Sequence, residues 1–334
     1  MADDTNLSRR DVMRAGLAVG AAALGFAPAH TGAAAAERSR PERVQDLIER
    51  IAAIRLTRPR LHMRRAEAAL QRSLDAAGVP RRPLRWFPDS IAAHRHVYSV
   101  ANAAARQAAR DAPTADLDTP AWNAAMAATW DGAWRAAHQR APKAAHRAAH
   151  AIRRQDETAR ERRDAALLAG YAAARTAARQ PVLDAAFLAP SGAALDVAHR
   201  ASTAAFKAPP GGAGSEIDKA AAWATWRAAA RLSGAWLTHD GAISAVGELS
   251  ALHAFDHPVQ AQAAALFRPM VDAMEAGLFF YWVTQHEVIC VPRPALHAAD
   301  GVLHRDDAPA VEWASGEAYF FRHGEQTEPI QLID

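Results

Sequence analysis

A chain of 334 residues, 50% hydrophobic and 22% charged, has room for one large or two ordinary domains and is too apolar for wholesale disorder. Its 39 basic and 36 acidic residues leave a net charge of only +3, a poor match to the strongly basic footprint of a nucleic-acid binder. A single cysteine, Cys290, excludes an internal disulfide and a cysteine-only metal cluster.

Much of the hydrophobic content is alanine, which buries little area per residue. The heavy anchors are therefore the nine Trp, the ten Phe and the scattered Leu, Val and Ile. Lysine occurs only at Lys143, Lys207 and Lys219, so nearly all positive charge is arginine. Arginine grips phosphate in a bidentate fork. Joint enrichment in Ala and Arg is the mark of GC-rich codon usage, and that explanation is preferred to phosphate binding because there is no large charge excess.

The first 36 residues read as an address. Ser8-Arg9-Arg10-Asp11-Val12-Met13-Arg14 precedes a modestly apolar run, Ala15 to Ala27, and then small residues. The order resembles a twin-arginine translocation signal, with Val12, Met13 and Arg14 standing where Phe, Leu and Lys are usual. The apolar run is too short and too rich in Ala and Gly to span a bilayer, so no stable membrane insertion is expected. Ala34 and Ala36 provide an A-x-A cleavage site before Glu37. The translocation machinery is thus an expected partner, and the expected location is periplasmic or secreted.

The expected organisation is a signal segment 1–36, helical segments 37–118 and 119–206, a linker 207–214, and a unit 215–334 of helices followed by strands. "SRPERVQDLIERIAAIRL" puts Pro41 at a helix start, with Val44, Leu47, Ile51 and Ile54 on one face. "PRLHMRRAEAALQRSLDAAG" predicts a second helix, stopped by Gly78 and Pro80. "DSIAAHRHVYSVANAAARQAARDAP" predicts a third, whose His94 and His96 lie two apart and so on different faces. In "DTPAWNAAMAATWDGAWRAAHQR", Thr119 is the expected cap and Pro120 the first helical residue. Trp122, Met126, Trp130 and Trp134 then form a heavy apolar stripe, read as core.

The longest helical stretch is expected over "KAAHRAAHAIRRQDETARERRDAALLAGYAAARTAARQ". His146 and His150 have an i, i+4 spacing that suits a metal, but alanines and Arg147 surround them and a solvated face explains them. "FKAPPGGAGSEIDK" is a loop before a helix capped by Ser215, with Asp218 three residues on. Helices continue to Gly277, and Pro269 is expected to end or kink the last of them at Arg268.

The character then changes. "LFFYWVTQHEVICV", "GVLH", "PAVEW" and "EAYFF" are apolar, β-branched and aromatic runs separated by "AADG", "RDDA" and "ASGE". The predicted fold is mainly α: a multi-helix array closed by a small C-terminal antiparallel β-meander. The aspartates of the turns are explained as turn formers.

Within this region Arg293, Pro294, Leu303, His304, Asp307, Pro309, Ala310, Gly316 and Tyr319 are similar to the RP…LH…GPA…G…Y string of an uncharacterised bacterial domain family, with Ala308 where that family has Gly. The resemblance covers about residues 215 to 330. It implies a short helical array ending in strands. The family has no known activity and is mostly cytosolic, so it leaves function open.

Cys290 lies among Val288, Ile289 and Val291 and is expected to be a buried, inert thiol. His297, His304 and His323 match no zinc-ligand spacing, so no metal and no cofactor are expected. Arg293 is different. Prolines on both sides hold it extended, so its guanidinium is presented from a stiff backbone, either to Asp307 or Glu312 or to an anionic ligand. The candidate binding residues are Arg293, His304, Asp307, Trp313 and Tyr319, with a protein or small ligand as partner. Trp313, Tyr319 and Phe321 are expected to line one face. No nucleophile–base pair or phosphate loop is present, so the leading expectation is an exported, non-enzymatic binding module. The alternatives are a hydrolase using His304 with Asp306 or Asp307 as acid and base, and an Arg-rich nucleic-acid-binding protein.

Overall fold

The computed structural model describes residues 44–57, 60–76, 78–113, 115–131, 148, 157–207, 213–231 and 236–327. The expected leader with Arg9, Arg10, Ala34 and Ala36, the expected helix start at Pro41, Trp134, and the His146/His150 pair lie outside the described residues.

Among the described residues the helices are α1 (Val44–Ala52), α2 (Met63–Ala76), α3 (Ser90–Asp111), α4 (Asp118–Thr129), α5 (Glu157–Ala178), α6 (Gln180–Lys207), α7 (Ala213–Arg231), α8 (Thr238–His253) and α9 (Gln260–Glu275). The strands are β1 (Leu84–Trp86), β2 (Trp236–Leu237), β3 (Leu278–Val283), β4 (Val288–Pro292), β5 (Ala295–Leu296), β6 (Ala298–Ala299), β7 (Val302–Leu303), β8 (Val311–Glu312), β9 (Ala318–Arg322) and β10 (Glu325–Thr327). The protein is mainly α, with a small antiparallel strand set at its C-terminal end.

The described strands fall into three groups. One sheet has the order β1-β4-β3-β2, a second the order β10-β9-β8-β5, and β6-β7 is a separate hairpin. The first sheet draws in β1, parallel to β4 with Leu84 opposite Val288, and β2, antiparallel to β3. Neither was expected, because a strand of two or three residues shows no periodicity. All six residues of β3 are buried, since helices cover both faces of this sheet. A bulge between Leu278 and Phe280 turns Phe279 and Phe280 toward the same core. Tyr281 and Val283 face the opposite side with Leu70, Met270 and Cys290. The "AADG" hairpin is a two-residue turn with positive φ at Asp300 (52°) and Gly301 (79°), the left-handed pair that a tight hairpin needs.

The helical half packs on alanine. Ala121 and Ala125 of α4 meet Ala101, Ala105 and Ala109 of α3 and Ala220, Ala221, Ala224 and Ala228 of α7. This corrects the expected tryptophan stripe. Small residues let three helices approach closely, so Trp122 and Met126 are left at the edge, partly buried. The Arg227 guanidinium covers the Trp122 ring at 4.4 Å. Thr119 is not the cap of α4: the helix begins at Asp118, and the Thr119 N–H points at Asp116 Oδ1, 3.4 Å away. Helix α4 stops at Thr129, where Trp130 turns extended.

Three further expectations change. The run into "TAARQ" breaks at Arg179 (φ 52°), so the longest described helix is α6, with 28 residues. Ser215 lies inside the first turn of α7. Pro269 does not end α9, which continues to Glu275 with the proline buried. Helix α6 is long and apolar enough to cross a membrane by length and composition alone, but Val182, Leu183 and Phe187 on it are buried in the core.

Candidate functional site

Arg293 follows β4 and is fixed at both ends. Its N–H donates to Gly277 O at 2.9 Å. Its guanidinium donates to Met274 O at 3.2 Å and to Arg55 O at 3.4 Å. Met274 lies in the last turn of α9, where the helix dipole favours a cation. The residue is 7% exposed. Neither Asp307 nor Glu312 pairs with it, which corrects the expected internal salt bridge. Among the described residues no carboxylate does, and Nε is buried with no acceptor. Burial lowers its pKa to about 10, so the guanidinium still carries its charge at neutral pH.

Two cavities meet at this side chain. The first, about 450 Å3, is lined by Arg50, Arg55, Arg60, His62, Arg65, Glu275 and Arg293. The second, about 400 Å3, is mostly apolar and includes Leu61, Pro292, Arg293, Glu312, Trp313 and Gly316. Between them runs the segment 60–62. The His62 N–H donates to Ala276 O at 2.8 Å, and the segment lies so close to Gly277 that a Cβ there would stand 2.6 Å from Arg60 O. Gly277 also has φ 93°, so both its backbone conformation and the close approach require glycine. Arg60 and His62 line the first cavity and Leu61 the second.

The first cavity is a cationic cleft. Glu275 is already saturated, taking Arg50 Nε at 2.7 Å and Arg65 Nη2 at 2.6 Å. Asp272 behind it takes Arg50 at 2.8 Å and Arg72 at 2.9 Å. Five guanidinium groups line the cleft against this single carboxylate, and Arg55 and Arg60 are exposed. A cluster of this kind attracts and orders an oxyanion.

Of the expected site residues, the structure brings Arg293 and Trp313 together at the second cavity. Trp313 is not an open platform, however. It is 2% exposed and donates its indole N–H to Pro292 O at 2.9 Å. Phe321 is buried too, and the Tyr319 ring packs edge-on against Trp313 with centroids 6.4 Å apart. Trp313 and Phe321 belong to the main core, where Trp313 packs against Phe279 of β3 with centroids 6.3 Å apart, and Tyr319 is partly buried against that core.

His304 and Asp307 line neither cavity. His304 stacks on His323 with centroids 4.3 Å apart, and its Nδ1 accepts the His323 N–H at 3.1 Å. Its Nε2 lies 3.6 Å from Asp306 Oδ1, and Asp307 is exposed. His297 faces Arg305 at 3.0 Å, and burial with this guanidinium beside it lowers its pKa. Cys290 is fully buried, and burial raises its thiol pKa strongly.

Sequence reasoning missed Arg55, Arg60 and His62. The available signal was the basic run "RLTRPRLHMRR", but it spans a break between helices, so no helical face shows which of its residues converge. Comparisons of the chain with protein-family profiles, with curated proteins and with solved structures each find no match.

Proposed function

We propose that this protein is a non-enzymatic binding module that captures a small, multiply charged oxyanion, a phosphate- or dicarboxylate-bearing molecule, in the cleft floored by Arg293, and that its leader delivers it outside the cytoplasm. One observation carries the reading: a guanidinium 7% exposed, with no carboxylate partner among the described residues and an Nε without an acceptor, lies at the base of a cleft rich in arginine. Burying an unpaired cation costs stability. Two backbone carbonyls offset only part of that cost, and a bound anion would offset more of it. Arg55 and Arg60 at the mouth would supply the first long-range attraction.

The test is calorimetric titration of the mature chain with inorganic phosphate and, separately, with succinate, at low and high salt. One of the two should bind at a single site, more weakly at high salt. Arg293→Lys should weaken binding at least tenfold, since an ammonium group lacks the planar fork. If that variant is poorly folded, Arg55→Ala/Arg60→Ala at the exposed mouth makes the same test and should also lower affinity. Absence of binding by both anions at millimolar concentration, or unchanged affinity in the folded variants, rejects the reading.

A further inference from the structure

Away from the arginine cleft, α6 and α8 meet at a second group of chemically active side chains. Thr238 begins α8, and its hydroxyl reaches two β3 carbonyls, Leu278 O at 2.7 Å and Phe279 O at 3.0 Å. That anchor fixes the next residue, His239, with its ring 1% exposed. His239 Nε2 faces Asp184 Oδ1 on α6 at 2.8 Å and Asp240 Oδ1 at 3.6 Å. The two carboxylates are open on their other side, 38% and 46% exposed.

We propose that Asp184, His239 and Asp240 form a binding site for a divalent first-row transition ion such as zinc or manganese. The spacing fits. An ion with bonds of about 2.0 to 2.2 Å to nitrogen and oxygen holds neighbouring ligand atoms roughly 3 to 3.5 Å apart. The two observed separations, 2.8 and 3.6 Å, bracket that range, and all three ligand atoms lie within 4.8 Å of one another. One imidazole and two carboxylates are an ordinary donor set for such an ion, and three protein ligands leave positions for water.

Hydrogen bonding alone leaves the group unsatisfied. An imidazole nitrogen carries one proton, yet two carboxylates converge on it. Among the described residues neither aspartate has an ion pair with Lys or Arg; Arg175 acts on Asp240 only at a distance. Two buried polar atoms on the same two helices also lack partners, His239 Nδ1 and Gln180 Oε1. Gln180 precedes Asp184 by four residues on α6, which puts it on the same helical face. An amide oxygen there is a further hard donor beside the carboxylates.

The experiment uses the mature chain without an affinity tag, stripped with chelator. Zinc and manganese are titrated calorimetrically, and cobalt is added to read its visible d–d absorption. One equivalent should bind, with a rise in Tm. Asp184→Asn and Asp240→Asn, both half-exposed and close in shape, should each weaken binding at least tenfold and abolish the Tm rise. His304→Ala/His323→Ala should bind as wild type does. The proposal is overturned if the wild-type chain takes up no stoichiometric ion, if both asparagine variants bind normally, or if the His304/His323 variant is the one that loses the ion.

Discussion

The Tyr319 hydroxyl donates to Glu317 Oε1 at 2.6 Å, while the other oxygen of that carboxylate accepts the Ile91 N–H at 3.1 Å. A residue in the turn before β9 thereby reaches the first turn of α3, where Asp89 already caps Ala92 N at 2.6 Å. The second sheet is thus tied to the helical half by a pair of neighbouring carboxyl groups.

That pair predicts a pH dependence. Burial, with Asp89 adding to it, pushes Glu317 up to about 7 from a reference of 4.5. The folded state therefore holds a proton that the unfolded chain has released. The stability this contributes is complete below about pH 4.5, is lost as pH rises to about 7, and changes no further above that. Thermal melts across this window should show Tm falling with pH, and Glu317→Gln should flatten the slope. A wild-type slope that survives in Glu317→Gln assigns the effect to another group.

Helices α5 and α8 cross at glycine. A Cβ on Gly170 would stand 2.6 Å from Ser250 Cβ, and one on Gly247 would stand 2.7 Å from the Tyr171 ring. Gly170→Ala and Gly247→Ala should each cost about 1 to 3 kcal/mol, because overpacking outweighs the better helix propensity of alanine. Gly192, in α6, meets nothing within 4 Å, so Gly192→Ala should instead add up to about 1 kcal/mol. Denaturant melts that show the same sign at all three positions would contradict this.

Arg82 bridges the Asp131 carboxylate and Thr284 O, and both charged side chains are largely buried. Removing one partner strands the other charge. Asp131→Ala should cost about 3 to 5 kcal/mol, and the paired Arg82→Met/Asp131→Ala variant should recover part of that loss. A double variant as unstable as the sum of the two singles would show that the ions are not coupled.

The proposed leader predicts export and cleavage after Ala36. Arg9→Lys/Arg10→Lys should leave uncleaved precursor in the cytoplasm, while the wild-type chain, checked by cell fractionation and N-terminal sequencing, should be found outside it starting at Glu37. An unchanged location in the double variant would remove the twin-arginine assignment.

The sequence by itself determined what local pattern encodes. Helical periodicity marks Leu47 and Ile51, an apolar run marks β3 and β4, and the Asp300-Gly301 pair marks a hairpin, because each depends on residues within a few positions of one another. It also showed that Arg293 is held stiffly between two prolines. Tertiary structure decided what that arginine meets. The carbonyls of Met274 and Arg55, which it contacts, lie 19 and 238 residues away. It likewise decided that β1 joins β4 across about 200 residues, that alanine and not tryptophan fills the contact between α3, α4 and α7, and that Asp184 reaches His239 from 55 residues away. A sequence pattern records which face of an element is apolar. Which faces meet, and which polar groups are stranded where they do, follows from how helices of different lengths close around the sheet, and no single segment carries that information.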